Sequence, residues 1–367
     1  MLGAGAGQLG LLAAARARGL FVIAVDRDPQ APGFRYAPRR AIVPLEDDSA
    51  LERLAQAERV DGVIAPAIDW TVATAARIAE RLGLPHPLSA DAALVPSSKL
   101  RQRQRLAEAG IPQVRWKVVT DVDDEIGFPC VVRAPDRHEP RRLSPVRSRQ
   151  ELEPAVRGAL RASRRRLCLV EELVEGPEVR VTAFSQAGAF GALTVADRLP
   201  DGLVWPSERA EDAIALAERA AAALGIAQGT TCTRIRFAAD GPRLVALGAR
   251  LGGMHDAELC RAALGVDLNA VALSSALGEA LDAERLVPRP QAGGVCVRFL
   301  PPPAGGQAEG VAQAERVEGI EWVWVYRAPG RSGALLATGR SAADARARAD
   351  RAAECIRFST FDAEAVA

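Results

Sequence analysis

Lysine is almost absent from this 367-residue chain. Only Lys99 and Lys117 stand among its 47 basic residues, and the rest are arginine. So general a bias reflects a GC-rich genome, so an arginine where lysine is expected says little by itself. Each retained lysine is, by the same reasoning, a candidate for a specific role. Excess charge is missing too: 47 basic against 46 acidic residues leaves a net charge of +1, with no global field to draw in nucleic acid or anionic lipid. No apolar run approaches the ~18 residues of a membrane span, and the N-terminus lacks the charged-then-apolar layout of a secretory leader. The expectation is a cytoplasmic protein with neither a nucleic-acid nor a membrane partner. Cysteines 130, 168, 232, 260, 296 and 355 are scattered, without CxxC or a neighbouring histidine pair. They are expected to be reduced thiols packed as small apolar groups.

What is present is ordinary in bulk. Hydrophobic residues make up 49% and charged residues 25%, values of a globular chain with room for two or three domains. The first ninety residues alternate helix and strand. "GAGAGQLGLLAAARARG" is a Gly-rich turn feeding a helix, "LFVIAVDRDP" and "VDGVIAPA" read as buried strands, and "TVATAARIAERLG" is a helix closed by Gly83. Such alternation argues for a parallel sheet covered on both faces. After the proline-bounded "LGLPHP", the stretch "SSKLRQRQRLAEAGIP" predicts a short helix capped by Ser97 or Ser98 and stopped at Gly110. Strands follow at "QVRWKVV", "FPCVVRA" and "RLCLVEEL". A hairpin is predicted to turn at Gln186-Ala187-Gly188, and two further strands to join at Asp240-Gly241. The tail from 290 carries three strands and a last helix, and no internal repeat is found.

"GAGQLG", from Gly5 to Gly10, matches GxGxxG, with Asp26 at the end of the next strand. One reading is a dinucleotide fingerprint, hence a nicotinamide-dependent oxidoreductase. The other is a tight strand-to-helix turn that needs glycine for backbone reasons. Only Met1-Leu2 precede Gly3, which clips the strand that the fingerprint requires.

Four further stretches come in one order: "FPCVVRAPD", "SRQELEPAV", "LCLVEELVEGPEV" and "DGPRLVALGARLGG". This series resembles the ATP-grasp superfamily, in particular carboxylate–amine ligases of the L-amino-acid ligase and carnosine synthase type. The resemblance implies an α/β and α+β architecture. A Rossmann-like pre-ATP-grasp domain would span 1–95, a two-lobed nucleotide-binding domain 96–289, and a C-terminal lobe 290–367. It implies ATP as cofactor, a carboxylate attacking the γ-phosphate, and an amine capturing the acyl phosphate to form an amide. The implied partners are a small carboxylate, amino acid or peptide, or another acidic ligand, with a protein partner or a homodimer left open.

Carried onto this chain, the resemblance places Lys99 and Arg133 on phosphates, Arg133 standing where a second lysine is expected. Glu171, Glu172 and Val174 fall in the hinge that reads adenine, Glu178 on the ribose, and Arg250 as the catalytic arginine that reaches phosphate. The departures are heavier. The flap expected as a Gly/Ser run reads "DRHEPRRLSP" at 136–145, and bulky or proline residues resist the close backbone approach that covering a phosphate needs. The two carboxylates expected to hold Mg²⁺ fall on Arg234 and Ala246, neither of which binds a hard cation. Asp256 and Glu258 follow the Gly-Gly turn and are read as first-turn acids of a helix ahead of substitute metal ligands. Three functions remain: an impaired or inactive ATP-grasp protein kept for ligand or partner binding, an active ligase with a rebuilt site, and the more distant oxidoreductase. The first predicts that Lys99, Arg133, Arg234, Arg236 and Arg250 gather in one cleft without metal-site carboxylates, and that the cluster is either neutralised by acids from elsewhere or occupied by an anion. Its plainer alternative pairs Arg234 with Asp256 or Glu258.

Overall fold

The computed structural model describes residues 1–122, 126–135, 145–301, 307–328 and 330–358. The segment expected as a flap, 136–145, therefore lies outside the described residues except for Pro145.

In the N-terminal unit, Met1 and Leu2 do form the stub of a strand. Val25 N donates to Met1 O at 3.0 Å, Gly3 N to Val25 O at 2.8 Å, and Leu2 N to Ile64 O at 2.9 Å. The Gly-rich turn then enters α1 (Leu9–Ala17), and β1 (Ile23–Asp26) pairs in parallel with β2 (Arg39–Ile42). Helices α2 (Asp48–Ala57), α3 (Thr71–Leu82) and α4 (Ala90–Leu94) complete the unit. The strand expected over "VDGVIAPA" is extended chain instead. Val63 and Ala65 are buried there, but the segment bonds the two-residue stub rather than a full neighbour, so no regular ladder develops.

A small lobe follows. Helix α5 (Lys99–Glu108) is capped by the Ser98 side chain, which accepts from Arg101 N, and Gly110 ends it with φ 62°. Strands β3 (Trp116–Val119), β4 (Cys130–Arg133) and β5 (Cys168–Glu172) form an antiparallel sheet in the order β3-β5-β4. Helix α6 (Arg149–Ala162) backs it, setting Leu152, Val156 and Ala159 against Val132 and Val170.

The large lobe is built on one eight-stranded sheet. It begins with β6 (Glu178–Gln186), β7 (Ala189–Leu199) and β8 (Gly202–Trp205). The β6–β7 hairpin turns through Ala187 and Gly188, both at positive φ, the twist that two-residue hairpins favour. Helix α7 (Ala210–Ala223), β9 (Gly229–Ala238), β10 (Gly241–Gly248), α8 (Asp256–Leu264) and α9 (Leu268–Ala276) come next. The remaining elements are β11 (Gly294–Leu300), β12 (Ala308–Glu309), α10 (Val311–Ala314), β13 (Ile320–Ala328), β14 (Arg331–Gly339), α11 (Ala342–Cys355) and β15 (Arg357–Phe358). The sheet order is β10-β9-β6-β7-β8-β11-β14-β13. The boundary expected at 289–290 thus precedes strands that continue the same sheet, β11 pairing directly with β8. The described cysteines are all free, and all but Cys355 are buried.

Side-chain alternation divides the labour of β6 and β9. Val179, Val181 and Ile235 point to one face and pack under Ala213, Leu216 and Ala220 of α7. Residues 178, 180, 234 and 236 therefore point to the other. That second face is charged.

Candidate functional site

Three strands set the geometry. Arg234 on β9 lies opposite Arg180 on β6 and Ala246 on β10, and Arg236 lies opposite Glu178. The two positions expected to bind metal are thus true cross-strand neighbours, as that role requires, but they present a guanidinium and a methyl group. Arg234 donates through Nε and Nη2 to the two oxygens of Glu178, at 3.0 and 3.1 Å. Arg236 adds Nε to Glu178 Oε2 at 3.0 Å and Nη1 to Val174 O at 3.0 Å. Burial alone would raise the Glu178 carboxyl, but Arg234 and Arg236 outweigh it and bring it to about 2.

The other cations are paired as well. Asp69, at the start of α3, accepts from Lys99 Nζ at 3.2 Å and from Arg250 Nε at 2.8 Å. Burial works against the charged form of Asp69, yet Arg250 and Lys99 hold its carboxyl well below the usual range. Glu171 is buried between Arg103 Nε at 2.7 Å and Arg133 Nη2 at 2.9 Å. Arg180 is buried with Asp256, Nε to Oδ1 at 2.7 Å, and its Nη2 reaches Cys232 Sγ at 2.8 Å. Glu172 is turned outward onto Arg115.

Of the two outcomes open to the cation cluster, these contacts give neutralisation by acids from elsewhere. Acids from other segments supply the missing charge, because unpaired ions in a cleft are costly. The plainer alternative is corrected. Asp256 is committed to Arg180, and Glu258 accepts from Asn269 Nδ2 at 2.7 Å and faces His255, so Arg234 pairs with neither. Both acids do lie in the first turn of α8, as read from the sequence. Among the described residues neutralisation is incomplete: seven cations (Lys99 and Arg103, 133, 180, 234, 236 and 250) share four carboxylates, a net positive balance.

Sequence reasoning missed Asp69 and Arg103. Arg103 Nη2 donates to Val245 O at 2.6 Å, a carbonyl freed by the bulge between Leu244 and Ala246. A signal for it existed. Lys99, Gln102, Arg103 and Leu106 fall at i, i+3, i+4 and i+7, the buried stripe of a helix, and polar groups on such a stripe must find partners. His255 was missed as well. It sits at φ 63°, buried, with Nε2 3.1 Å from Tyr326 Oη and its ring against Trp322 and Trp324.

The dinucleotide reading of the Gly-rich turn is not supported by its surroundings. A Cβ at Gly7 would meet Ala67 Cβ at 3.0 Å and Gly253 Cα at 3.2 Å, and one at Gly10 would lie 1.6 Å from Glu258 Oε1. These glycines admit neighbouring protein, as the reading of a tight turn with a backbone need for glycine expects.

Metal-ligating groups fare no better. Among the described residues no three His, Cys, Asp or Glu side chains converge, and the donor set at 234 and 246 does not fit Mg²⁺. No single helix among them is long and apolar enough to cross a membrane.

No family model matches the chain. Over 170 residues it is 34% identical to a formate-dependent phosphoribosylglycinamide formyltransferase of Burkholderia pseudomallei, and 33% identical to that of Burkholderia thailandensis. The match spans 44% of this chain and 42% of those relatives, less than half their length. Among solved structures, an L-amino acid ligase from Bacillus licheniformis superposes with a TM-score of 0.81 at 20% identity, covering 96% of each chain. The N5-carboxyaminoimidazole ribonucleotide synthetase of Thermotoga maritima gives 0.76 at 19% identity over 98% of each. The chain has the ATP-grasp fold, and its structural neighbours are ATP-grasp ligases.

Proposed function

We propose that this chain is an ATP-grasp protein that does not run Mg²⁺-dependent acyl-phosphate chemistry and serves instead to bind a ligand or partner through the same cleft. One observation carries the reading: Arg234 stands across from Ala246 and is held there by both oxygens of Glu178. Phosphoryl transfer in this fold rests on positioning and charge neutralisation, with metal ions bridging the phosphates. At ~4 Å and an effective dielectric near 20, each unit like-charge contact costs about 4 kcal/mol, and a divalent ion beside Arg234 and Arg236 meets two guanidiniums against one carboxylate. Glu178 is meanwhile occupied by arginine and is no free partner for a ribose. Lys99 and Arg250 are likewise turned to Asp69.

A second reading, an active amino-acid or peptide ligase with a rebuilt site, draws on the retention of Lys99 and Arg250 on the cleft. Trapping with hydroxylamine separates the two. Incubated with ATP, Mg²⁺, hydroxylamine and mixed amino acids, the protein is expected to form no acyl hydroxamate above the protein-free blank. Hydroxamate that disappears in Lys99→Met would overturn the proposal in favour of the ligase.

A further inference from the structure

We infer that Arg234 and Arg236 form a metal-independent phosphate site in the place where the fold otherwise positions a metal ion. The inference rests on the reading above and names the ligand chemistry of that cleft.

The geometry provides the donors and leaves them accessible. Arg234 uses Nε and Nη2 on Glu178, and Arg236 uses Nε on Glu178 and Nη1 on Val174 O. Among the described residues, Arg234 Nη1 and Arg236 Nη2 meet no acceptor. The two guanidiniums lie two residues apart on one strand face, so their unused edges address the same side of the sheet. Across the ladder, Ala246 offers only a methyl group, so no side-chain acceptor faces Arg234 from β10. The Arg234 side chain is 42% exposed and that of Arg236 30%, whereas Glu178 beneath them is 7% exposed. The carboxylate is thus the buried floor of the site and the arginines are its mouth.

Charge sets the sign of the ligand. Two guanidiniums share one carboxylate, and Arg180 behind them is balanced by Asp256. One positive charge remains at the mouth. A phosphate presents several acceptor oxygens and suits the planar fork of arginine, so it can take both free Nη groups at once. Glu178 fixes the two side chains in advance, which lowers the ordering cost of binding.

This arrangement inverts the usual metal dependence. Where carboxylates hold Mg²⁺, the metal strengthens nucleotide binding. Where arginines take the phosphate directly, Mg²⁺ competes for the same oxygens and weakens it.

The test is titration calorimetry of the full chain with inorganic phosphate, ADP and glutamate in EDTA, repeated for ADP with Mg²⁺ in excess. Phosphate and ADP are expected to bind in EDTA, glutamate not, and Mg²⁺ to lower the ADP affinity. Arg234→Ala is expected to weaken ADP roughly tenfold, the worth of one charge-assisted bond. Arg236→Gln is expected to act in the same direction. Each variant leaves Glu178 one arginine, and melting curves verify that both fold. If neither phosphate nor ADP binds in any condition, the inference is overturned while the non-catalytic reading stands. If ADP binds but both variants bind it as wild type does, or if glutamate binds equally well, the phosphate assignment at these arginines is overturned. If Mg²⁺ strengthens ADP binding, both fall together.

Discussion

Arg234 on β9 and Ala246 on β10 stand directly across from one another in an antiparallel ladder, with the carboxylate of Glu178 bound to the arginine from the next strand. The ladder brings a cation beside a methyl group, where two acids would be needed to hold a metal ion. Restoring the acids should therefore restore a metal site. In the double variant Arg234→Glu with Ala246→Glu, millimolar Mg²⁺ is expected to raise the melting temperature by a few degrees. Occupancy at tenfold over the dissociation constant gives about 1.4 kcal/mol. The wild type is expected not to move, and an equal rise in both proteins would contradict this account of the strand pair.

Glu178 predicts an acid limb in stability. Its carboxyl lies at about 2 in the folded chain against an ordinary 4.5. The unfolded chain takes up this proton first as pH falls. The contribution is therefore complete above about pH 4.5, and it is lost as pH drops toward 2. Urea unfolding at stepped pH should show the decline, and Glu178→Gln should flatten it. At neutral pH the same substitution leaves two guanidiniums without a carboxylate. Both are partly exposed and recover solvation, so the expected cost is about 1–2 kcal/mol, below that of breaking a buried pair.

Arg103 is the buried counterpart. Its guanidinium ties Glu171, Gln113 and the bulge carbonyls of Leu244 and Val245, joining α5 to both lobes. Arg103→Met is expected to cost about 2–4 kcal/mol, because it leaves the buried Glu171 carboxylate with Arg133 alone and strands the Val245 carbonyl. Arg103→Lys should rescue little of this in urea unfolding, since one ammonium cannot reach the same set of acceptors. A cost under 1 kcal/mol for either variant would contradict the pairing.

Gly248 makes room for the Asp69 contact. A Cβ there would lie 2.5 Å from Asp69 Oδ1 and 3.1 Å from Arg250 Nε. Gly248→Ala is expected to separate Asp69 from Arg250 and to lower stability by about 1–3 kcal/mol, the usual cost of overpacking. Asp69→Ala in the same background should remove the clash, so the two effects are expected to be non-additive in thermal unfolding. Simple additivity would contradict the steric explanation.

Much of the architecture was legible because it rests on local rules. Ser98 and Gly110 bound α5 as capping chemistry predicts, and Ala187-Gly188 closes its hairpin. The strand at 60–67 was misread because burial of Val63 and Ala65 reproduces the apolar pattern of a strand without a neighbour long enough to pair with it. The positions of Arg234 and Ala246 were legible because two strands joined at Asp240-Gly241 fix their own register. The partners were not. Asp69 lies 181 residues from Arg250, and nothing in a single sequence couples such distant charges. The same holds for Glu178, read as a ribose contact, whose role as the shared anchor of Arg234 and Arg236 depends on β6 lying beside β9. The sequence named most of the charged residues but not Asp69, Arg103 or Arg180, and not which charge answers which.

The most direct test of the central claim is the affinity for ATP in EDTA compared with that in saturating Mg²⁺, measured by titration calorimetry on the wild-type chain. The arrangement of Glu178, Arg234 and Ala246 predicts no gain from the metal, and a weakening if Arg234 and Arg236 take the phosphates themselves. A tenfold or greater gain on adding Mg²⁺ would show that the cleft still assembles a metal site and would contradict the account.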